Sequence, residues 1–355
     1  MAQKSVLIGI SGGIDSAVAA AILMEQGFRT EGLYIRNGFP TRAEVEAERV
    51  AEELDMPLHI IDLTNQFGND IVEYFASEYA AGRTPNPCIV CNKKIKFRYL
   101  IEEAEKRGID YLATGHYARR EERGGEKGFR LLRGVDTNKD QSYFLFELGQ
   151  EELERTIFPN GEMTKDEIRE KARGLDLGAF SERESQEICF IPDNDYRRFI
   201  EDFLVPSPFE PGNIVDNNGS IVGRHRGIHT VTIGQRKGLN IASERPYYVT
   251  EIDGKKNRVI VGRDEDQYFT GLIAERVSWN SSSHSREKSL TASTQIRYRH
   301  KGVDSIITHM PDRKDSVSVV FDTPQKAVAP GQAAVFYQGA AVIGGGWISK
   351  GVRRG

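Results

Sequence analysis

Three cysteines and one double-glycine turn are the residues of this 355-residue chain whose types and spacing can do chemistry. Cys88 and Cys91 stand in R-T-P-N-P-C-I-V-C-N-K-K-I-K-F-R at 83–98, with Lys93, Lys94, Lys96 and Arg98 close behind. Pro85 and Pro87 disfavour the α region in the residues before them, which predicts an extended surface loop leading into a helix. A loop thiol beside that much positive charge is favoured as the thiolate, the form that acts as a nucleophile or binds a metal. Cys189 sits in S-Q-E-I-C-F-I-P, where the apolar Ile188, Phe190 and Ile191 predict a buried, inert thiol. It lies so far beyond Cys91 that only the fold can bring the two together.

The second chemical feature is S-G-G-I-D-S at 11–16. Val6, Leu7, Ile8 and Ile10 before it read as a buried parallel strand. Gly12 and Gly13 allow a sharp turn, and Asp15 and Ser16 open a helix predicted from Ala17 to Gln26, ended by Gly27. A strand feeding a glycine turn and a helix start aims free N–H groups and the positive end of the helix dipole at one point, which favours phosphate. The pattern G-x-x-x-x-G-K-[ST] is absent together with its lysine, which argues against a kinase or motor protein.

These groups must be positioned by the elements around them. Strands are predicted at 30–35, 57–62 and 111–114, and helices from 41 to about 54 and from about 70 to 81. Thr41 with Glu44, and Thr164 with Glu167, have the form of capping boxes, the second opening a helix to about Leu175. This rhythm implies a parallel sheet covered on both faces, with ligands beyond the carboxyl ends of its strands. Both the glycine turn and Gly115-His116-Tyr117 lie at such ends. Residues 121–128 read as an exposed loop. Beyond Pro206 the chain turns to Gly, Val and Thr, with turn signals at Pro211-Gly212, Asn218-Gly219 and Asp253-Gly254, so this half is mostly β. A last β region is expected from about Asp266, with strands near 291–298, 316–321, 332–337 and 340–347. The domain boundaries read 1–205, 206–265 and 266–355.

The hydrophobic fraction of 39% and charged fraction of 28% are those of a soluble globular protein. No run is long and apolar enough for a membrane span, no signal peptide is read at the N-terminus, and three scattered cysteines suit a reducing cytoplasm. The net charge of −4 divides unevenly, with 27 basic and 38 acidic residues in 1–205 against 21 and 14 in 206–355. A basic C-terminal half agrees with a nucleic-acid partner, and its Arg297, Tyr298, Arg299, His300 and Lys301 combine charge with an aromatic ring, which suits phosphate contact and base stacking.

Taken in order, S-G-G-I-D-S, T-P-N-P-C-I-V-C-N-K-K-I-K-F, T-G-H-Y-A, K-D-Q-S-Y-F, I-C-F-I, V-T-I-G-Q-R-K-G-L, I-R-Y-R and P-G-Q-A-A-V-F-Y resemble the tRNA-specific 2-thiouridylases, which are PP-loop ATP pyrophosphatases. The resemblance spans nearly the whole chain. It implies an α/β N-terminal domain with a parallel sheet of the adenine-nucleotide-hydrolase type, a small mainly β central tRNA-binding domain and a C-terminal β-barrel, the last two both helping to hold tRNA. The implied reaction is adenylation of the C2 oxygen of a wobble uridine by ATP with Mg²⁺, then displacement of AMP by sulfur. By the same resemblance Gly9, Ile10, Ser11, Gly12, Gly13, Ile14, Asp15, Ser16, Ile35 and Gly115 match the ATP site. Cys91 matches the nucleophile and Cys189 the persulfide carrier, with a transient disulfide between them. Asn86, Pro87 and Cys88 match the segment that meets the target base. His116, Lys139, Asp140, Gln141, Arg297, Tyr298 and Gln332 match further tRNA contacts. The implied partners are the anticodon stem-loop of tRNA and a sulfur donor, either a cysteine desulfurase or a sulfur-carrier protein. Many members carry aspartate where this chain has Cys88, so Cys88, Cys91 and Cys189 could instead hold a [4Fe–4S] cluster that carries the sulfur. Another PP-loop tRNA-modifying ATPase would keep the ATP loop without needing the thiols. A non-enzymatic tRNA-binding iron–sulfur protein would need the thiols without the loop.

Overall fold

Val6, Leu7 and Ile8 have no exposed surface, as a strand covered on both faces requires. A computed structural model of the chain describes residues 3–39, 42–124, 128–175, 188–191, 193–205, 208–281 and 284–353. Thr41 of the predicted capping box lies outside them, as do residues 125–127 of the predicted loop. The strands of the N-terminal part are β1 (Ser5–Gly9), β2 (Arg29–Arg36), β3 (Leu58–Asp62), β4 (Tyr111–Thr114), β5 (Ala118–Glu122), β6 (Phe129–Arg133) and β7 (Thr156–Ile157). A parallel sheet runs in the order β3-β2-β1-β4-β7, with Gly9 level with Leu33 on one side and Thr114 on the other. Strand order reverses between β1 and β4, so the crevice beyond their carboxyl ends is the topological switch point where such sheets take ligands.

The described residues form two compact units, each assembled from separate stretches of chain. The first takes its residues from 1–71, 88–186 and 338–343, and the second from 72–87, 187–337 and 344–355. In the first unit the helix Ile14–Glu25 buries Ala17, Val18, Ala20 and Leu23 in one core with Val50, Ala113, Ile168 and Ala172. The antiparallel β5–β6 hairpin is closed off by the late residues Ala341 and Val342, which pair with Leu132 and Leu131.

The second unit contains β8 (Gly212–Asp216), β9 (Ile221–His225), β10 (Tyr248–Asp253), β11 (Arg258–Gly262), β12 (Tyr268–Trp279), β13 (Ser289–Gln295), β14 (Val303–His309), β15 (Val317–Lys326), β16 (Ala333–Gln338) and most of β17 (Ala341–Val352). β8 to β11 form a small sheet over Ile214, Val249, Val259 and Val261. The last six strands run β12-β15-β14-β13-β16-β17 and close through the β12–β17 pairing into a barrel, which removes the sheet edges. A register shift between Glu275 and Ser278, with Arg276 at φ 52°, bends β12 for that closure. Among the described residues no helix is long and apolar enough to cross a membrane.

The parallel sheet and the C-terminal barrel agree with expectation, but three local expectations need correction. Residues 83–98 do lead from a segment without regular structure into a helix, but the helix begins earlier than expected and carries both cysteines, because Pro87 takes the first position of the helix Pro87–Cys91, where its fixed φ and missing N–H cost nothing. That helix runs through a wide π-helical stretch, Asn92–Phe97, into the helix Arg98–Arg107. The helix predicted from about 70 to 81 belongs to a helical run that starts earlier, at Thr64–Phe67, and passes through a second π-helical stretch, Gly68–Val72, into Glu73–Ala80. β12 and β14 were not foreseen, because Gly271 and Glu275 interrupt the apolar alternation of one and Ile306 faces solvent on the other.

The capping box at Thr164 is present, with Thr164 Oγ1 accepting from the Glu167 N–H and Glu167 Oε2 accepting from the Thr164 N–H at 2.7 Å. These bonds hold the Glu167 carboxyl below its ordinary value, the backbone bond to Thr164 contributing most. Thr164→Ala should destabilise the protein by about 1 kcal/mol in urea titrations. Because the folded-state carboxyl is depressed, the box is intact above the ordinary Glu value near 4.3 and is lost as pH falls through the lower folded value, so the difference between variant and parent should shrink in acid. An unchanged urea midpoint at neutral pH would show that the box does not hold this helix.

Candidate active site

The turn between β1 and its helix can be built only with glycine at position 12. Gly12 has φ +77°, and a Cβ there would stand 2.5 Å from the Ala43 carbonyl oxygen. The Ser16 hydroxyl then closes the loop, accepting from the Ser11 N–H at 3.1 Å and donating to the Gly13 carbonyl at 2.9 Å. Ser16 is therefore a buried brace, while Ser11 is exposed. Gly13 at the N-cap supplies no side-chain cap, so the first-turn N–H groups remain available to a bound anion. Ile10 and Ile14 are core residues and can serve a ligand only through their backbone. Gly9 and Ile35 lie on neighbouring strands beside this turn, Gly9 level with Leu33 and Ile35 level with Ile61.

Asp15 is the centre of the site. Its Oδ1 accepts from the Tyr117 hydroxyl and from Lys165 Nζ, both at 2.6 Å. Lys165 is nearly buried, whereas the Asp15 carboxylate remains about one-third exposed. Burial, reinforced by the Asp15 charge, pushes the Tyr117 phenol up, so it stays a donor. Asn160 Nδ2 donates to the Asp15 carbonyl at 2.9 Å and to the Gly115 carbonyl at 3.0 Å, tying the loop after β1 to the loop after β4. Gly115 packs so closely that an added Cβ would lie 2.9 Å from the Asp15 and Ser16 backbone.

Asn160 and Lys165 were not singled out from the sequence, and Tyr117 was named there only within Gly115-His116-Tyr117 at a strand end. Lys165 did carry a signal, being a cation in the first turn of a helix, where the dipole disfavours positive charge. A residue kept in an unfavourable place is serving something other than the helix.

Other expected residues divide between scaffold and surface. Asp140 is buried, and its carboxylate accepts from Arg133 Nη1, the Gly134 N–H and both the N–H and hydroxyl of Ser142. Gln141 exchanges hydrogen bonds with the Tyr117 backbone, at 3.0 Å through its side chain and 2.8 Å through its N–H. Both residues thus shape the strand end that holds Tyr117, while Lys139 beside them is half-buried. His116 packs on Phe97 and shares a 2.8 Å bond with the Thr114 hydroxyl. Burial, with a smaller contribution from Lys96, holds its imidazole well below the ordinary value, so it is neutral at pH 7.

Cys88 is exposed and Cys91 half-exposed, on a helix rather than a loop. The positive charge behind them is smaller than the residue count implies. Lys93 pairs with Glu152, Lys94 with Asp70 at 2.9 Å and Arg98 with Glu102 at 2.9 Å, leaving Lys96 as the exposed cation of the four without an ion pair among the described residues.

In the second unit Cys189 is exposed, contrary to the burial its neighbours suggested. Phe190 takes the buried position instead, edge-on to Phe75 at 5.5 Å and against Phe199 at 5.4 Å, and so anchors the segment beneath an accessible thiol. Asn86 and Pro87 are buried. The segment before them is held by the barrel, since Gln332 Nε2 donates to the Thr84 and Pro85 carbonyls at 3.1 and 3.0 Å and the Thr84 N–H donates to the Pro330 carbonyl. Arg297 is exposed on the turn after β13, with Tyr298 half-buried beside it, and the Gln295 amide donates to both of their carbonyls. Among the described residues no three His, Cys, Asp or Glu side chains stand together as metal ligands.

Three family models match in succession: residues 4–193 the tRNA methyl transferase HUP domain, 197–263 the tRNA methyl transferase PRC-barrel domain and 269–348 the aminomethyltransferase beta-barrel domain. The chain is 50% identical to the tRNA-specific 2-thiouridylase MnmA 2 of Syntrophus aciditrophicus, across 91% of this chain and 99% of that protein. It is 44% identical to the tRNA-specific 2-thiouridylase MnmA of Geotalea uraniireducens across 99% of this chain and 96% of that one. With the corresponding protein of Heliobacterium modesticaldum it shares 43% identity across 98% and 93% of the two chains.

Two outcomes follow from this geometry. Lys165→Met leaves the Asp15 carboxylate without its counter-ion beside an anion site, so ATP affinity by calorimetry should fall about tenfold, close to 1.4 kcal/mol; unchanged affinity would place Lys165 outside the site. Gln332→Leu strips two carbonyls of their donor and should cost about 1–3 kcal/mol, with faster hydrogen exchange at the Thr84 amide. Parental exchange there would mean that Gln332 does not hold the segment.

Proposed function

Because this chain belongs to the tRNA-specific 2-thiouridylase family, we infer that it replaces the C2 oxygen of a tRNA wobble uridine with sulfur, using ATP. The observation that carries the reading is the uncapped Ser-Gly-Gly-x-Asp-Ser turn at the sheet's switch point, with Asp15 held by Lys165 and Tyr117. A carbonyl oxygen is a poor leaving group, and ATP, taken as its magnesium complex, cures that. The C2 oxygen attacks the α-phosphorus, pyrophosphate departs, and the base carries an AMP ester. The first-turn N–H groups and the dipole of the helix Ile14–Glu25 stabilise the phosphate charge. Lys165 neutralises Asp15 so that the carboxylate does not repel it.

Sulfur arrives as a persulfide on Cys189, loaded by a cysteine desulfurase or a sulfur-carrier protein. Its exposure suits loading by a protein donor, and the buried Phe190 and Ile191 hold its backbone in place. The terminal sulfur attacks C2 and AMP leaves. The Cys91 thiolate then attacks the Cys189 sulfur of the resulting disulfide, releasing 2-thiouridine and leaving a Cys91–Cys189 disulfide that an external dithiol reduces. Each bond formed is matched by one broken. By the family match the Asn86–Cys88 segment meets the target base, and His116, Arg297 and Tyr298 serve the RNA. Methyl transfer, named in two of the family-model descriptions, needs neither adenylation nor a sulfur relay.

Nucleoside analysis of tRNA incubated with the enzyme, ATP, Mg²⁺ and a desulfurase with cysteine tests the reading. The parent should yield 2-thiouridine, together with pyrophosphate release that requires tRNA. Cys91→Ser and Cys189→Ser should each abolish the thionucleoside while retaining tRNA-dependent pyrophosphate release. Methylated uridine instead, or thiolation by either serine variant at the parental rate, would overturn it.

A further inference from the structure

Asn92 is only 2% exposed, yet half of its amide goes unused. Its Nδ2 donates to the Phe144 carbonyl at 3.1 Å, while its Oδ1 is buried without a donor among the described residues. A buried acceptor left in that state costs stability, and a leucine of nearly the same volume would not incur that cost. Asn92 stands directly after Cys91, at the start of the π-helical stretch Asn92–Phe97. Such stretches are rare and are found mostly at functional sites.

The next two residues are tied as well, each to a different element. Lys93 Nζ pairs with Glu152 on the helix Gln150–Arg155, and Lys94 Nζ pairs with Asp70 on the π-helical stretch Gly68–Val72 at 2.9 Å. Successive helical side chains diverge by about 100°, somewhat less in a wide turn, so three in a row span about half the circumference. Anchors spread that far oppose rotation of the helix about its axis as well as sliding along it. Further on, Ile95 and Phe97 are buried. Packing thus holds the far end of the stretch, and polar bonds hold the end beside Cys91.

The Phe144 carbonyl is itself a fixed point. It belongs to the 3₁₀ turn Ser142–Leu145, where the N–H and hydroxyl of Ser142 bond to Asp140 and the Phe144 N–H donates to the Gln141 carbonyl at 3.0 Å. Gln141 in turn holds Tyr117, the donor to Asp15. The turn that receives Asn92 therefore continues the segment that braces the glycine turn, all within the first unit.

We propose that Asn92, assisted by Lys93 and Lys94, is a positioning residue that sets the direction of the Cys91 thiol. Its effect is exercised through Cys91. The thiolate must meet the Cys189 sulfur of the tRNA-bearing disulfide along the S–S bond that breaks, forming the Cys91–Cys189 bond as the 2-thiouridine sulfur departs. A misplacement of one ångström at a reacting group can cost about a hundredfold in rate. A half-satisfied amide is kept because its one bond fixes that direction. This inference rests on the reading of Cys91 as the group that releases the product.

The test is a single turnover of the full-length protein, loaded with sulfur by a desulfurase and cysteine, then freed of both and given ATP, Mg²⁺ and tRNA without reductant. Asn92→Leu should release pyrophosphate at the parental rate but free thiolated tRNA about tenfold more slowly. Meanwhile the tRNA should run with the protein on a non-reducing gel and be liberated, carrying 2-thiouridine, by dithiothreitol. Lys93→Met should show the same trapping to a smaller degree, about threefold, and Lys93→Arg, which keeps the pair with Glu152, should restore parental release. Parental release by both Asn92→Leu and Lys93→Met would overturn the proposal and leave the function standing. So would pyrophosphate release that falls in step with product release and leaves no trapped tRNA, since that marks a merely structural residue. Cys91→Ser should hold the trapped tRNA until dithiothreitol is added. A Cys91→Ser protein that traps none, or a parent that makes no 2-thiouridine, would overturn the functional reading and this inference with it.

Discussion

The carboxylate of Asp15 is the point on which the nucleotide-binding half of the site depends. A lysine taken almost wholly out of water is costly unless paired, and Lys165 has its partner in Asp15 at 2.6 Å. The pairing ties the start of the helix Lys165–Gly174, which the Thr164 capping box sets, to the glycine turn. That helix carries Ile168 and Ala172 into the same core as Val18 and Val50. Tyr117 and Asn160 add donors from two further segments, so three separate stretches of chain converge on one short turn. Such a turn is preorganised. Its N–H groups and its balanced charge are in place before a phosphate arrives, which is the condition for stabilising charge cheaply in a reaction.

The same accounting separates residues that act from residues that support. Asp140 and Gln141 hold the strand end carrying Tyr117, and Gln332 holds the segment leading to Asn86. A buried carboxylate with four donors or a side-chain amide spanning two carbonyls has little freedom left for a second partner. Any effect of these residues on RNA is thus most simply exerted through the backbone they hold. Ser16 is the corresponding case within the glycine turn, a loop brace in the middle of a ligand-binding motif.

Charge follows a similar division. Counting lysines and arginines in sequence gives equal weight to every cation, but the fold spends some of them. Lys93, Lys94 and Arg98 are matched by acids that lie far away in the chain or one helical turn on. Among the described residues Arg236 and Lys237 make no ion pair, and they sit on a loop whose geometry is fixed by backbone and amide bonds. Electrostatic steering of a polyanion depends on the unspent charges.

Much was legible from local pattern alone. The β1 strand, the glycine turn, the strand at 111–114 and the capped helix after Thr164 each depend on neighbouring residues: apolar runs, positive-φ glycines and a side chain reaching three residues on. The ordered motifs likewise pointed to the family, because they keep their sequence over nearly the whole chain. The rest depended on contacts between distant residues. Lys165 is 150 positions from Asp15, and a cation in a first helical turn shows only that it has a partner, not which one. Phe190 rather than Cys189 became the buried residue because Phe75 and Phe199 offered it a pocket. β12 and β14 lacked a clean alternation because closing a barrel tolerates a bulge and an outward-facing isoleucine. Local chemistry therefore determined the motifs and most element types, whereas burial, charge pairing and loop bracing were decided by tertiary structure, since each requires a partner that sequence adjacency does not supply.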